Sequence, residues 1–211
     1  MESGLKVPKI KKVAEKGLYG AFSVILEGVK RIEMKHNNNI ILQDPPGRDF
    51  SVEFSSVKKI EKYLDSPILD IGCKAGKLVY KLIDKGYDAY GMDIGPRAAQ
   101  QWTKHREKFY EGDIEEYIPF DINFKLIVMS HVLEHLYNPQ ETLTRLRGRL
   151  KNGGKIFIEV PIGDMRHISH KIIFKDLKEV EEMARNGGYK VDESSQRRVD
   201  NCSIAYLWLS L

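Results

Sequence analysis

The chain has 211 residues, 42% of them hydrophobic and 30% charged, which is enough apolar side chain for a sizeable core in one α/β domain plus a modest extension. Its longest apolar runs are strand-length, far short of the ~20 residues that cross a bilayer. The lysine-bearing N-terminus has neither an apolar signal core nor a small-residue cleavage site, so the expected location is cytoplasmic and no membrane partner is expected. A net charge of +4 points only weakly to nucleic acid, and two cysteines, Cys73 and Cys202, make neither a disulfide framework nor a metal spacing.

Residues 1–64 read as a helical N-terminal extension or lid. Lys6, Lys9, Lys11, Lys12 and Lys16 form a basic run of the kind that more often makes a solvated face than a phosphate-binding strip. Leu18, Phe22, Ile25, Leu26, Val29 and Ile32 recur at a helical period, which stops at Asn37-Asn38-Asn39. Pro45-Pro46-Gly47 makes a loop, a second helix is expected over 55–64, and Asp65-Ser66-Pro67 breaks into the first core strand.

Over 65–211 strands and helices alternate. The most informative stretch is 68–95. A buried strand ends in Asp70, enters a turn with Gly72 and Gly76, and becomes an amphipathic helix carrying Leu78, Val79, Leu82 and Ile83. A second strand then ends in Asp93, 23 positions after Asp70, where an α/β sheet clamps the ribose of a nucleoside-bearing cofactor. Pro96 opens another helix, a short strand is expected at 108–110, and 125–130 is a fourth, buried strand. Asn138, Pro139 and Glu141 read as N-cap, first-turn proline and capping-box acid of the next helix, followed by a strand at 155–160 and a helix at 176–186. The last two strands, 189–193 and 203–211, are joined by a polar link too short for a crossover helix, so they pair as a hairpin that contains Arg197-Arg198 in its connection. The expected fold is α/β, a Rossmann-like doubly wound sheet, mostly parallel with one antiparallel C-terminal strand.

Five motifs in order carry a resemblance over about three quarters of the chain. They are Ile68-Leu69-Asp70-Ile71-Gly72-Cys73-Lys74-Ala75-Gly76, Gly91-Met92-Asp93, Glu111-Gly112-Asp113-Ile114, Ser130-His131-Val132-Leu133-Glu134-His135-Leu136, and Leu150-Lys151-Asn152-Gly153-Gly154 with its strand. Together with the terminal hairpin they resemble the class I S-adenosylmethionine (SAM)-dependent methyltransferases. The hairpin separates this reading from a nicotinamide dehydrogenase. Two positions depart from the family pattern: Lys74 stands where a glycine is usual, and Lys125 replaces a common acid before the fourth strand. The cofactor fits if Lys74 keeps φ negative and turns its ammonium outward; otherwise affinity falls or the site is dead.

The resemblance implies a role for each motif. Gly72 and Gly76 wrap the methionine part of SAM, Asp70 orders that loop, and Asp93 accepts hydrogen bonds from both ribose hydroxyls. Asp113 and Ile114 recognise the adenine edge, and Ser130 lies at the cofactor. His131 faces the transferred methyl and is the candidate catalytic base, because imidazole titrates near neutral pH. His135, Arg166, His167 and His170 are expected to bind the acceptor. His131, Glu134 and His135 have a spacing that one helical turn brings to neighbouring faces, with His167 and His170 as further donors. Related clusters that begin with an acid hold a divalent ion in some O-methyltransferases. Here the first member is histidine and Leu-Glu-His is common in metal-free relatives, so no metal is expected. The expected acceptor is a small molecule, methylated on oxygen or nitrogen. An RNA or protein acceptor, or a non-catalytic SAM-fold binding module, are the alternatives.

Overall fold

The computed structural model describes residues 57–163, 169–199 and 202–211, with the backbone alone at 202. Seven strands form one sheet: β1 (Ile68–Ile71), β2 (Ala89–Asp93), β3 (Phe109–Glu111), β4 (Phe124–Ser130), β5 (Leu150–Ile162), β6 (Lys190–Val199) and β7 (Cys202–Ser210). Their order is β3-β2-β1-β4-β5-β7-β6. β1 pairs in parallel with β2 and β4, β2 with β3, and β4 with β5, while β7 runs antiparallel to both β5 and β6. The order reverses at β1 and β4, so their C-terminal ends border the crevice in which such sheets bind ligands. The expected architecture is met.

Alternation along the strands divides the core in two. Leu69 and Ile71 of β1, Ile127 and Met129 of β4, and Ile156, Ile158 and Val160 of β5 share one cluster. It is roofed by α3 (Pro139–Leu146) and α4 (Leu177–Asn186), which contribute Leu143, Leu146, Val180 and Ala184. Ile68, Leu126, Val128 and Phe157 point to the other face, against Leu78, Val79 and Leu82 of α1 (Lys77–Asp84) and Ala98 of α2 (Pro96–Ala99). Burial on both faces explains why the central strands read as continuous apolar runs, because a half-exposed strand would show a period of two.

Several local expectations need correction. The described part of the expected second helix is a pair of 3-10 turns, Val57–Lys59 and Glu61–Tyr63, and Ile60 between them is buried in the α1-side core. The helix at Pro96 lasts a single turn. Asn138 makes no side-chain cap at α3; the Glu115 carboxylate instead accepts the N–H groups of Tyr137 (3.1 Å) and Asn138 (2.6 Å). The terminal hairpin is longer than read: β6 runs on to Val199, so Arg197 and Arg198 lie within it, exposed, and pair with Ile204 and Ser203. Its polar sequence hid it because it is the sheet's edge, with most side chains in water. α4 is capped at both levels: Asp176 accepts the Glu179 N–H (3.0 Å) and Glu179 accepts the Lys175 N–H (2.7 Å).

Buried Tyr189 donates its hydroxyl to the Leu143 carbonyl at 2.7 Å, tying α3 to the approach to β6. Tyr189→Phe should lower the free energy of unfolding by about 1–2 kcal/mol in urea titrations, as expected for a lost buried hydrogen bond.

Candidate cofactor site and the histidine–carboxylate cluster

The turn after β1 folds back onto β2. Gly72 N–H and Cys73 N–H both donate to the Met92 carbonyl, at 2.8 and 3.1 Å. Gly72 and Gly76 each sit at φ +76°, in the left-handed region. A Cβ at Gly72 would lie 2.6 Å from Val132 Cγ2, and one at Gly76 would lie 2.6 Å from the Phe109 ring. Glycine is therefore required at both positions twice over, by φ and by space. Lys74 fails one of the two conditions set for it and meets the other: φ is +47°, not negative, so the turn carries the backbone strain that a glycine would avoid, while the side chain is turned to solvent and leaves the turn open. Its carbonyl is pinned by the indole N–H of buried Trp102 at 2.7 Å.

Asp70 and Asp93 end adjacent strands, as the sequence placed them. Asp70 is 6% exposed, and among the described residues its carboxylate accepts no hydrogen bond. Burial, reinforced by the charge of Asp93, pushes its pKa up to about 8. Asp93 is better served: it accepts Lys74 N–H at 2.9 Å and Gly95 N–H at 2.8 Å, one on each oxygen. Burial still raises its pKa, against the pull of those two bonds. A carboxylate has about four lone-pair sites, so each oxygen of Asp93 keeps one for a further donor.

The end of β4 carries a second charged group. Glu159 on β5 is 1% exposed and takes three donors: Lys59 Nζ (2.7 Å), Ser130 Oγ (2.9 Å) and, through its backbone carbonyl, His131 N–H (2.8 Å). His131, at φ +54°, lies between two carboxylates, with Nδ1 3.1 Å from Glu134 Oε1 and Nε2 3.8 Å from Glu159 Oε1. Burial alone would lower its pKa; the hydrogen bonds and charges of Glu134 and Glu159 outweigh that and push it up to about 9. Glu159 moves the opposite way: burial works to raise it, but His131 and Lys59 hold it below the usual carboxylate range. The two carboxylates thus favour the imidazolium form of His131, which has no lone pair with which to accept a proton.

The other expected residues divide three ways. Asp113 is buried and commits Oδ1 to the Glu115 N–H at 2.8 Å, and Ile114 is 7% exposed in the core. His135, in the 3-10 turn Leu133–His135, places Nδ1 3.1 Å from the Ser169 carbonyl and packs against His170, ring centroids 5.1 Å apart. Burial lowers the His135 pKa, with His170 and His131 adding to it and Glu134 opposing. Arg166 and His167 lie outside the described residues. Sequence reasoning missed Glu159 and Lys59. The available signal for Glu159 was an acid inside the apolar run Lys155-Ile156-Phe157-Ile158-Glu159-Val160. Lys59 had none, being one of several lysines in a polar segment.

Asp70 gives a pH signature. Unfolded, it ionises near 3.8; folded and cofactor-free, it holds its proton to about 8. Between those values the native state binds more protons, so this group's contribution makes stability fall as pH rises from about 4 to about 8. Asp70→Asn should flatten the pH dependence of the urea midpoint across that window and stabilise the free protein at pH 8. An unchanged slope would show that Asp70 ionises normally.

A methyltransferase-domain family model matches residues 42–199. Among curated proteins, the chain is 26% identical over 128 residues to a tRNA U34 carboxymethyltransferase of Campylobacter fetus, covering 57% of this chain and 45% of that protein. It is 29% identical over 130 residues to the tRNA U34 carboxymethyltransferase of Helicobacter acinonychis, covering 55% and 48%. The chain therefore spans about half the length of these curated relatives. Among solved structures, the glycopeptide N-methyltransferase MtfA shares the fold at TM-score 0.60 and 14% identity, over 77% of this chain and 90% of that one. MtfA has also been solved with SAM and with S-adenosylhomocysteine. With the family model covering most of the sequence and the two acids and glycine turn in place, the chain belongs to the methyltransferase-domain family, as a class I, SAM-dependent member.

Proposed function

We propose that the protein transfers the methyl group of SAM to an oxygen or nitrogen acceptor at the C-terminal edge of its sheet. The observation that carries this reading is the acid pair: Asp70 buried without a hydrogen bond among the described residues, and Asp93 with one lone-pair site left on each oxygen. SAM fits both. It brings an ammonium group that matches a buried carboxylate and two vicinal hydroxyls that match the open sites of Asp93.

When bound, SAM would supply an activated methyl on a sulfonium; in-line displacement by the acceptor oxygen or nitrogen would break the sulfur–methyl bond, leave S-adenosylhomocysteine and release the acceptor's proton to solvent water. Gly72 and Gly76 let the backbone approach, and Asp93 fixes the ribose end. His131 acts as an orienting cation between Glu134 and Glu159, and not as the proton acceptor, because those carboxylates keep it charged at neutral pH. Ser130, committed to Glu159, belongs to the same support.

For the acceptor, one observation favours RNA over a small molecule: the curated relatives are named for tRNA. Exposed Arg197 and Arg198 near the end of β6 are consistent with it, since β6 runs parallel to β5 and brings them to the same edge as Asp70 and Asp93. Incubating the full chain with methyl-labelled SAM and bulk tRNA should label the RNA. tRNA binding should weaken steeply between 50 and 200 mM salt, as counterion release requires. The double variant Arg197→Glu/Arg198→Glu should weaken it about 10-fold or more at a fixed salt. Absence of tRNA binding at low salt would return the acceptor to the small-molecule class, while absence of SAM turnover on any acceptor would leave a binding module.

A further inference from the structure

The turn after β4 and the segment that begins at Ser169 are tied together by three bonds. Lys171 N–H and Ile172 N–H both donate to the Glu134 carbonyl, at 2.7 and 3.2 Å, and His135 Nδ1 meets the Ser169 carbonyl at 3.1 Å. Ser169 is 2% exposed, so this junction is interior. The ties bring three donors to one point: a Glu134 carboxylate oxygen and one ring nitrogen each of His135 and His170, all within 4.8 Å of one another.

The orientation of each donor suits a cation. A carbonyl only accepts, so His135 Nδ1 carries hydrogen and Nε2 is the nitrogen left to face Glu134, 4.0 Å from Oε1. A ring N–H held by a backbone carbonyl is the usual support of a metal-bound histidine. Glu134 is 1% exposed; Oε1 is held by His131, and Oε2 has no hydrogen-bond partner among the described residues. A buried carboxylate oxygen left without a partner costs about 1–3 kcal/mol or more, so an occupant is called for. The adjacent Lys171 does not supply it, because its ammonium lies over the Tyr137 ring, 4.8 Å from the centroid.

We propose that the Glu134 carboxylate together with His135 and His170 forms a site for a first-row divalent cation. Two imidazoles and one carboxylate suit Zn²⁺ or Mn²⁺ and leave coordination positions for water or an acceptor oxygen. The constellation differs from the simple spacing expected from sequence: His131 is not a ligand but orients Glu134, and His170 completes the set from a distant segment. Ligand bonds of about 2.1 Å put tetrahedral donors about 3.4 Å apart, so binding draws together donors that lie within 4.8 Å of one another by up to about 1.4 Å. The site holds whether or not the chain transfers a methyl group.

Calorimetric titration of the full chain, stripped with chelator and without SAM, tests it with Zn²⁺ and Mn²⁺ in separate runs. One equivalent of at least one of the two ions should bind the wild type. His170→Ala, a half-buried position whose loss leaves the core intact, should weaken binding 10-fold or more, and Glu134→Gln should do the same, with circular dichroism confirming the fold of each variant. Failure of the wild type to bind either ion would overturn the proposal. So would unchanged affinity in both His170→Ala and His135→Ala. SAM affinity, measured on the same preparation, separates this outcome from the methyltransferase reading.

Discussion

A carboxyl group taken out of water without a partner keeps its proton until a cation or a set of donors meets it. Asp70 is held in that condition because β1 is central in the sheet and covered on both faces. Its neighbour Ile71 pairs with Met92, and the Met92 carbonyl then receives the N–H groups of Gly72 and Cys73. The turn is thereby bent across the end of β2, where Asp93 collects Lys74 and Gly95. One acid, Asp93, and one carbonyl, that of Met92, set the path of the loop. The positive φ values at Gly72, Lys74 and Gly76 follow from that path. Lys74 bears a conformation that costs a non-glycine residue about 1–2 kcal/mol. Its carbonyl bond to Trp102 and its N–H bond to Asp93 hold it there.

The end of β4 is organised by alternating charge. Lys59, Glu159, His131 and Glu134 follow one another as plus, minus, plus, minus, with both acids almost fully buried. Removing one member would leave a buried charge uncompensated, a change that typically costs several kcal/mol. The chain of charges also joins distant parts of the sequence: the 3-10 turns before β1, the middle of β5, and the turn that docks residues 169–172. The end of β4 is thus built from polar contacts that span up to 100 positions, while the glycine turn after β1 is held by contacts with β2 and with Trp102 that span 19 to 28.

That contrast explains what was legible in the sequence. Asp70, Gly72, Gly76 and Asp93 could be read directly because strand ends and glycine turns are local features with fixed spacing. The two-faced core was legible from the consecutive apolar pair Ile68-Leu69 and the run Leu126-Ile127-Val128-Met129. The partnership of Glu159 with Lys59 was not, since the two lie 100 positions apart and nothing local marks either. His131 looked like a base because imidazole titrates near neutrality; only its placement between two buried acids reveals the raised pKa. β6 was cut short because an edge strand in water lacks the apolar alternation that marks half-buried ones.

The acid pair around the glycine turn is proposed as a cofactor clamp. Its most direct measurement is calorimetric titration of the folded full chain with SAM, beside the Asp93→Ala variant. A clamp requires one SAM site in the wild type and a loss of a few kcal/mol in the variant, as for two charge-assisted hydrogen bonds to the ribose. Equal affinity in the two proteins, or no binding by the folded wild type, would contradict it.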